Sequence, residues 1–308
     1  MEFILHHYDY SSFSEKVRLI FGFKRLAWRS VEIPAYGPKP DYTPLTAGYR
    51  RTPALQIGAD IYCDTRLIAA EIERRVPLPS IYPSGEAARA LLEVLIAWAE
   101  NQLFRPLAVA VTGEHATRFS AAFHADRAGL HGKPAPTLDQ VRAAARHARA
   151  QFEPQMVWLE GLLNDPRPYL LGSCVSLADF ALYAAPWFLE IIGGRSELLE
   201  SLPRTRAWMA RVAAVGHGHP TPMTAQGALE IAAASTPRPC NTTNCGALAG
   251  IALGDKVTVA PVDQRASAHG TLASIDRESV TLAHGHRDVG ELAVHFPRLG
   301  YRFSRALT

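Results

Sequence analysis

The spacing of apolar positions changes character twice along the chain, and each change predicts a different kind of unit. Phe3-Ile4-Leu5-His6-His7-Tyr8 predicts a short buried strand; Asp9 to Ser12 is polar, and Val17, Leu19, Ile20 and Phe23 then recur at helical spacing. Trp28 to Ile33 predicts a second strand, followed by a loop rich in Pro and Gly (Pro34, Gly37, Pro38, Pro40, Pro44, Gly48). Pro53 to Ile57 and Ile61 to Cys63 flank Gly58-Ala59-Asp60 and predict a hairpin. Asp64-Thr65 caps a helix whose apolar face is Leu67, Ile68, Ile72 and Val76, stopped by Pro77 and Pro79. The order β-α-β, ββ-α over residues 1–80 predicts a small α/β domain.

From Ser84 the period is helical. Leu91, Leu92, Leu95, Ile96 and Trp98 line one helix, and Thr137-Leu138-Asp139-Gln140 is a capping box opening a second that reaches about Leu163. Glu114 to Pro136, with Phe119 and Phe123, reads as a loop or short helix over a cleft. Ser176-Leu177-Ala178-Asp179 starts an apolar helix through Ile192 with a buried N-terminus. Residues 84–234 therefore predict an all-α bundle. Ser235 to Gly246 has the composition of a linker, and beyond it the pattern alternates: Lys256–Ala260, Gly270–Ile275, Ser279–Ala283, Leu292–Phe296 and Tyr301–Phe303 predict five short strands, with a polar loop from Ala283 to Gly290. A small all-β, barrel-like unit is expected over 247–308.

Composition bounds the partners. At 308 residues the chain is long for one core, and 48% hydrophobic with 20% charged residues is ordinary for folded domains. A net charge of +3 from 32 basic and 29 acidic residues gives no footprint for nucleic acid. Four cysteines, no stretch of 18 apolar residues, and no basic-then-apolar leader at Met1 to His7 predict a reduced, cytoplasmic protein with no membrane partner.

The chemistry concentrates at helix starts. A helix opening after Tyr10 presents unpaired amides and the positive end of its dipole, so a hydroxyl at Ser11 can stabilise an anion such as a thiolate; Ser11, Ser12 and Ser14 can equally be plain caps. In Arg51-Thr52-Pro53, proline opens a strand, and a cis bond would present the Thr52 backbone to a ligand. Asp64 and Thr65, at another helix start, can hold an amino-acid-like ammonium and carboxylate or simply cap. Tyr8, Tyr10, Trp98, Phe104, Phe119 and Phe123 are candidates for an apolar cleft, while His6 and His7 read as packing residues. His217-Gly218-His219, His284-Gly285-His286 and the pair Cys240/Cys245 lack zinc spacing, so no metal is expected.

Taken in order, Tyr10-Ser11-Ser12-Phe13-Ser14-Glu15-Lys16-Val17-Arg18-Leu19, Arg51-Thr52-Pro53-Ala54-Leu55, Asp64-Thr65 and Ser176-Leu177-Ala178-Asp179 resemble the cytosolic glutathione transferase superfamily over residues 1–232. The resemblance implies a thioredoxin-like first domain that binds glutathione, an all-helical second domain that helps bind a small electrophile, and a homodimer. By position it makes Ser11 the contact to the glutathione sulfur, with Ser12 as runner-up. Thr52, the cis-proline match Pro53, Asp64 and Thr65 fall at its glutathione-binding positions; Phe13 and Arg51 beside them are further candidates for contacting glutathione, and the aromatic Tyr10, Phe104 and Phe119 for shaping the electrophile pocket. Ser176 and Asp179 match a structural capping box. Ser12 stands where many relatives have proline and Phe13 where some serine-class relatives have cysteine, and Arg25 stands where a glycine often closes the first helix. The implied function is conjugation of glutathione to an electrophile. Alternatives are a glutathione-dependent isomerase, dehalogenase or peroxidase, disfavoured for thiol exchange because position 11 is not cysteine, and a non-catalytic binding or scaffold protein using its C-terminal unit.

Overall fold

The computed structural model describes residues 2–194, 196–239, 248, 250–265 and 267–306. Its first unit runs β1 (Ile4–His7), α1 (Ser12–Phe23), β2 (Ala27–Glu32), β3 (Ala54–Ile57), β4 (Asp60–Cys63) and α2 (Thr65–Arg75). β1 pairs in parallel with β2 and antiparallel with β3, which forms the expected hairpin with β4. Strand residues alternate between two cores because side chains alternate across a sheet. Leu5, Leu55 and Tyr62 pack against the helices, whereas Ile4, Ala54 and Ile61 enter a second core on the opposite face.

The helical lobe comprises α3 (Glu86–Trp98), a π-turn at Ala99–Leu103, α4 (Phe104–Glu114), α5 (Ala121–Leu130), α6 (Leu138–Leu162), α7 (Leu177–Gly193), α8 (Glu197–Glu200) and α9 (Pro203–Ala213). Thr137 and Gln140 form the expected capping box at α6. Asp179, wholly buried, accepts from the Leu170 and Ser176 amides and from the Trp208 indole at 2.9–3.0 Å, which fixes the start of α7 against α9.

After α9 come β5 (His219–Pro222), a strand inside the region expected to be all-α and without an apolar period, and α10 (Ala225–Ala233), whose Ala228, Leu229 and Ala232 enter the second core. β5 adds to the edge of β2, where its prolines need donate to no further strand. Gly218 (φ +69°) explains the histidine pair beside it: a Cβ there would lie 2.5 Å from the Leu26 carbonyl oxygen, so the segment is built for close approach to the turn after α1.

The C-terminal strands are β6 (Lys256–Pro261), β7 (Ala268–Ile275), β8 (Ser279–His286), β9 (Gly290–Pro297) and β10 (Tyr301–Arg305). All five expected strands are present, but Ala283–His286, expected to be loop, continues β8, because β9 pairs with it as far as His286↔Gly290. The unit is also not set apart. β9 pairs in parallel with β4 (Ile61↔Val294), giving one ten-stranded sheet in the order β10-β6-β7-β8-β9-β4-β3-β1-β2-β5. Val257, Leu272, Leu282, Val294 and Phe296 share the second core with Ile4, Val31 and Ile61. A buried chain of side chains seals the junction: Asp60 meets His295 at 2.9 Å, and His295 meets Thr281 at 2.9 Å.

Candidate functional site

Ser11 is the N-cap of α1. Its Oγ accepts from the Ser14 amide (3.2 Å) and the Ser14 hydroxyl (2.8 Å), which commits the oxygen as acceptor and leaves its own hydrogen to donate elsewhere. Behind it, α1 is anchored by buried charge. Glu15 pairs with Arg18, and His217 meets Glu15 at 3.0 Å; Arg18 also reaches His7 at 3.0 Å. Burial and the Arg18 charge pull His7 down to about 3, so it meets the guanidinium as neutral imidazole. The Ser12 hydroxyl is buried and has no hydrogen-bond partner among the described residues. Arg25 adopts φ +51° at the end of α1, the conformation that makes glycine common there.

The Thr52–Pro53 bond is cis. The Thr52 hydroxyl accepts from Lys39 Nζ at 2.8 Å, and Lys39 also donates to the Arg50 carbonyl at 3.1 Å while facing the rings of Tyr8 and Tyr42. Lys39 is 4% exposed and has no carboxylate in contact among the described residues; burial, with Arg127 and Arg50 nearby, lowers it to about 7. A buried ammonium set on polar oxygens is suited to receive an anion. Sequence reasoning missed it; its one signal is a lone lysine between prolines in the Pro/Gly loop. Arg50, by contrast, is paired with Asp126, and Arg51 with Asp263.

Asp64 caps α2 at φ +76°. Its Oδ1 accepts from the Arg66 amide (2.9 Å) and its Oδ2 from the Tyr301 hydroxyl (3.0 Å). Beside it Lys16 bridges Thr65 Oγ1 (3.2 Å) and Glu100 (2.7 Å), joining α1, α2 and the π-turn. Burial, then the Glu100 charge, raise the Asp64 carboxyl. Glu100 with Asp64 offers a seat for an ammonium, and Lys16 with the Thr65 hydroxyl one for a carboxylate.

Aromatic rings link the lobes in two runs. Tyr10 meets Phe119 (6.5 Å), which stacks on Phe123 (4.7 Å); Phe13 packs edge-on against Phe104 (5.1 Å), which meets Phe188. A cavity of about 470 Å³ opens among Tyr8, Asp9, Tyr10 and the Glu32–Pro38 segment, next to the Ser11 turn. Trp98 belongs to neither run; it packs on Trp158 and donates to Gln155. Cys240 and Cys245 lie outside the described residues. Among the described residues no group of three or more His, Cys, Asp or Glu could hold a metal ion, and no helix is long and apolar enough to cross a membrane.

Residues 5–80 match the glutathione S-transferase N-terminal domain and residues 135–211 its C-terminal domain. FtsZ-localized protein A of Caulobacter vibrioides is 27% identical over 196 residues, 63% of this chain and 79% of that protein. A glutathione S-transferase from Methylobacillus flagellatus, solved with glutathione bound, shares the fold at 18% identity and TM-score 0.55, over 71% of this chain and 100% of its own. A GST-like protein from Pseudomonas syringae is 35% identical with TM-score 0.79 and covers 99% of both chains, so it spans the C-terminal strand region as well. With this relatedness over its whole length, the chain belongs to the glutathione S-transferase family.

Proposed function

We propose that this protein binds glutathione across α1, the Thr52–Pro53 turn and the start of α2, and transfers its thiolate to a small electrophile, with Ser11 donating to the sulfur. The observation that carries this reading is the Ser11 hydroxyl at a helix N-terminus, whose oxygen accepts from Ser14 and which donates to no acceptor among the described residues. A free thiol near pKa 8.5 is only a few per cent thiolate at pH 7; lowering it by about two units needs roughly 2.7 kcal/mol of selective anion stabilisation. One hydrogen bond to a charged sulfur, at about 1.5–3 kcal/mol, together with helix-terminal amides, is enough. Lys39 and the Thr52 backbone hold the glycyl end, Asp64, Glu100, Lys16 and Thr65 the γ-glutamyl end, and Tyr10, Phe104 and Phe119 wall the electrophile. Ultraviolet titration of the protein–glutathione complex should show the thiol ionising well below its free value in wild type and near it in Ser11→Ala; equal titrations would refute the role.

A second reading, a non-catalytic binding protein, draws on the similarity to FtsZ-localized protein A and on Arg51 being already paired within the chain. Glutathione uptake in calorimetry with no turnover of aryl halides, peroxides or unsaturated acids would favour it. We also propose a cytoplasmic homodimer. Leu91 and Val94 on α3 and Val157, Trp158 and Leu162 on α6 form exposed apolar surface; sedimentation giving a monomer mass would refute the dimer.

A further inference from the structure

The C-terminal unit reaches back to two positions of the ligand site. Tyr301, the first residue of β10, lies 237 residues from Asp64 in sequence and donates to its Oδ2 at 3.0 Å. An ionised carboxylate can only accept, so Tyr301 is the donor there and, in its 2.5 Å contact with the Tyr49 hydroxyl, the acceptor. The proton order is therefore Tyr49 to Tyr301 to Asp64. The loop after β6 makes the matching contact at the other end of the site. Asp263 pairs with both Arg51 and Arg105, Gln264 accepts from Arg51 Nε at 2.9 Å, and the Asp263 carbonyl meets His131 at 2.9 Å.

We propose that the C-terminal strand unit is a third wall of the ligand site, with Tyr301 a positioning residue that holds Asp64 ionised and aimed at the ligand ammonium. The proposal rests on the glutathione reading above. Plain packing would bury the Tyr301 ring between Tyr49 and Phe296, as it does, but would not require a donor on the carboxylate. Asp64 needs one, because burial and Glu100 both favour its neutral form, which cannot pair with an ammonium. The other groups acting on it are Lys16 of α1 and the Arg66 amide of α2, which favour the charged form, with the Cys63 thiol of β4 and the Tyr49 hydroxyl alongside; the Arg51 charge acts on Tyr49 and Tyr301. Tyr301 is thus the one donor supplied to this carboxylate from outside the first unit and the π-turn among the described contacts.

The test measures glutathione affinity of the full chain by calorimetry from pH 5 to 8, for wild type and Tyr301→Phe. An analogue lacking the α-amino group, glutaryl-cysteinyl-glycine, is run in parallel. Removing the hydroxyl raises the Asp64 carboxyl, so the acid-side fall in glutathione affinity should move to higher pH. At the acid end the loss should reach about tenfold, the scale of one hydrogen bond to a charged group. The analogue, which has no ammonium to hold, should bind both proteins alike. Tyr49→Phe, which removes only the donor behind Tyr301, should shift the same limb in the same direction by less, and serves alone if Tyr301→Phe does not fold. Equal weakening of both ligands, or an unmoved limb, overturns the positioning role while leaving the glutathione reading intact. Failure of wild type to bind glutathione overturns both.

Discussion

The two ends of the candidate site are held by different kinds of contact. Ser11 is set by its own neighbourhood: its hydroxyl meets Ser14 and its amide meets the Tyr8 carbonyl, both three residues away. Asp64 is set by its own helix through the Arg66 amide and also by a residue from the far end of the chain, and Arg51 by a loop more than two hundred residues on. A local cap survives wherever α1 forms, whereas the Tyr301 and Asp263 contacts of the anchor end need the C-terminal strands in place. The reactive group and the ligand anchors should therefore respond to different perturbations.

The largest effect should come from removing the C-terminal unit. A chain ending at residue 239 loses the strand that pairs with β4 and uncovers the core shared by Ile4, Val31, Tyr49 and Ile61. Each such side chain contributes about 1.5–3 kcal/mol when buried, so losing cover on a few of them matches a whole domain's net stability of roughly 5–15 kcal/mol. Circular dichroism in urea should show no cooperative transition; a sharp transition close to that of the full chain would mean that the first two units stand alone.

Acid should attack the Ser11 end next. Burial holds His6 at about 4 and His7 at about 3, against about 6.5 in an unfolded chain. Below pH 6.5 the unfolded state binds protons that the folded state refuses, so stability falls as the pH falls, and above 6.5 this contribution is constant. At about 1.4 kcal/mol per pH unit for each histidine, the loss reaches several kcal/mol by pH 4. Urea midpoints measured from pH 4 to 8 should trace that slope, and His6→Gln should flatten it; a midpoint independent of pH would contradict the burial of both rings. Third in size, Asp60→Ala strips partners from His295 and from the Arg238 amide at the β4–β9 junction and should cost about 2–3 kcal/mol. Asp60→Asn, which keeps an acceptor, should cost less.

The same contrast accounts for what was legible in the sequence. Caps, hairpins and apolar periods are local, so the Asp64 cap, the β3–β4 hairpin, the α6 capping box and all five C-terminal strands could be read directly. The family resemblance, carried by short motifs, pointed to Ser11 and Asp64 for the same reason. Lys39 was invisible because its meaning lies in where it is buried, not in its neighbours. The placement of the C-terminal unit was invisible because sheet order is a long-range choice: alternation in Leu292–Phe296 announces a strand but not its partner, β4. β5 was missed because an edge strand with two prolines and no buried residue carries no hydrophobic signal.

The smallest expected effect decides between the two serines. Ser11→Ala removes a cap that satisfies the Ser14 amide and should cost about 1 kcal/mol of stability. Ser12 makes no such contact, and its buried hydroxyl has no hydrogen-bond partner among the described residues. Replacing it with alanine deletes an unsatisfied group and fills nothing less, so stability should stay level or rise by up to about 1 kcal/mol. Ser11, and not Ser12, is the N-cap whose oxygen is occupied by Ser14. The thiol titration of bound glutathione should therefore follow Ser11→Ala and ignore Ser12→Ala. If the two results are reversed, the unpartnered Ser12 hydroxyl is the donor waiting for the sulfur, and Ser11 is only the cap that holds α1 in place.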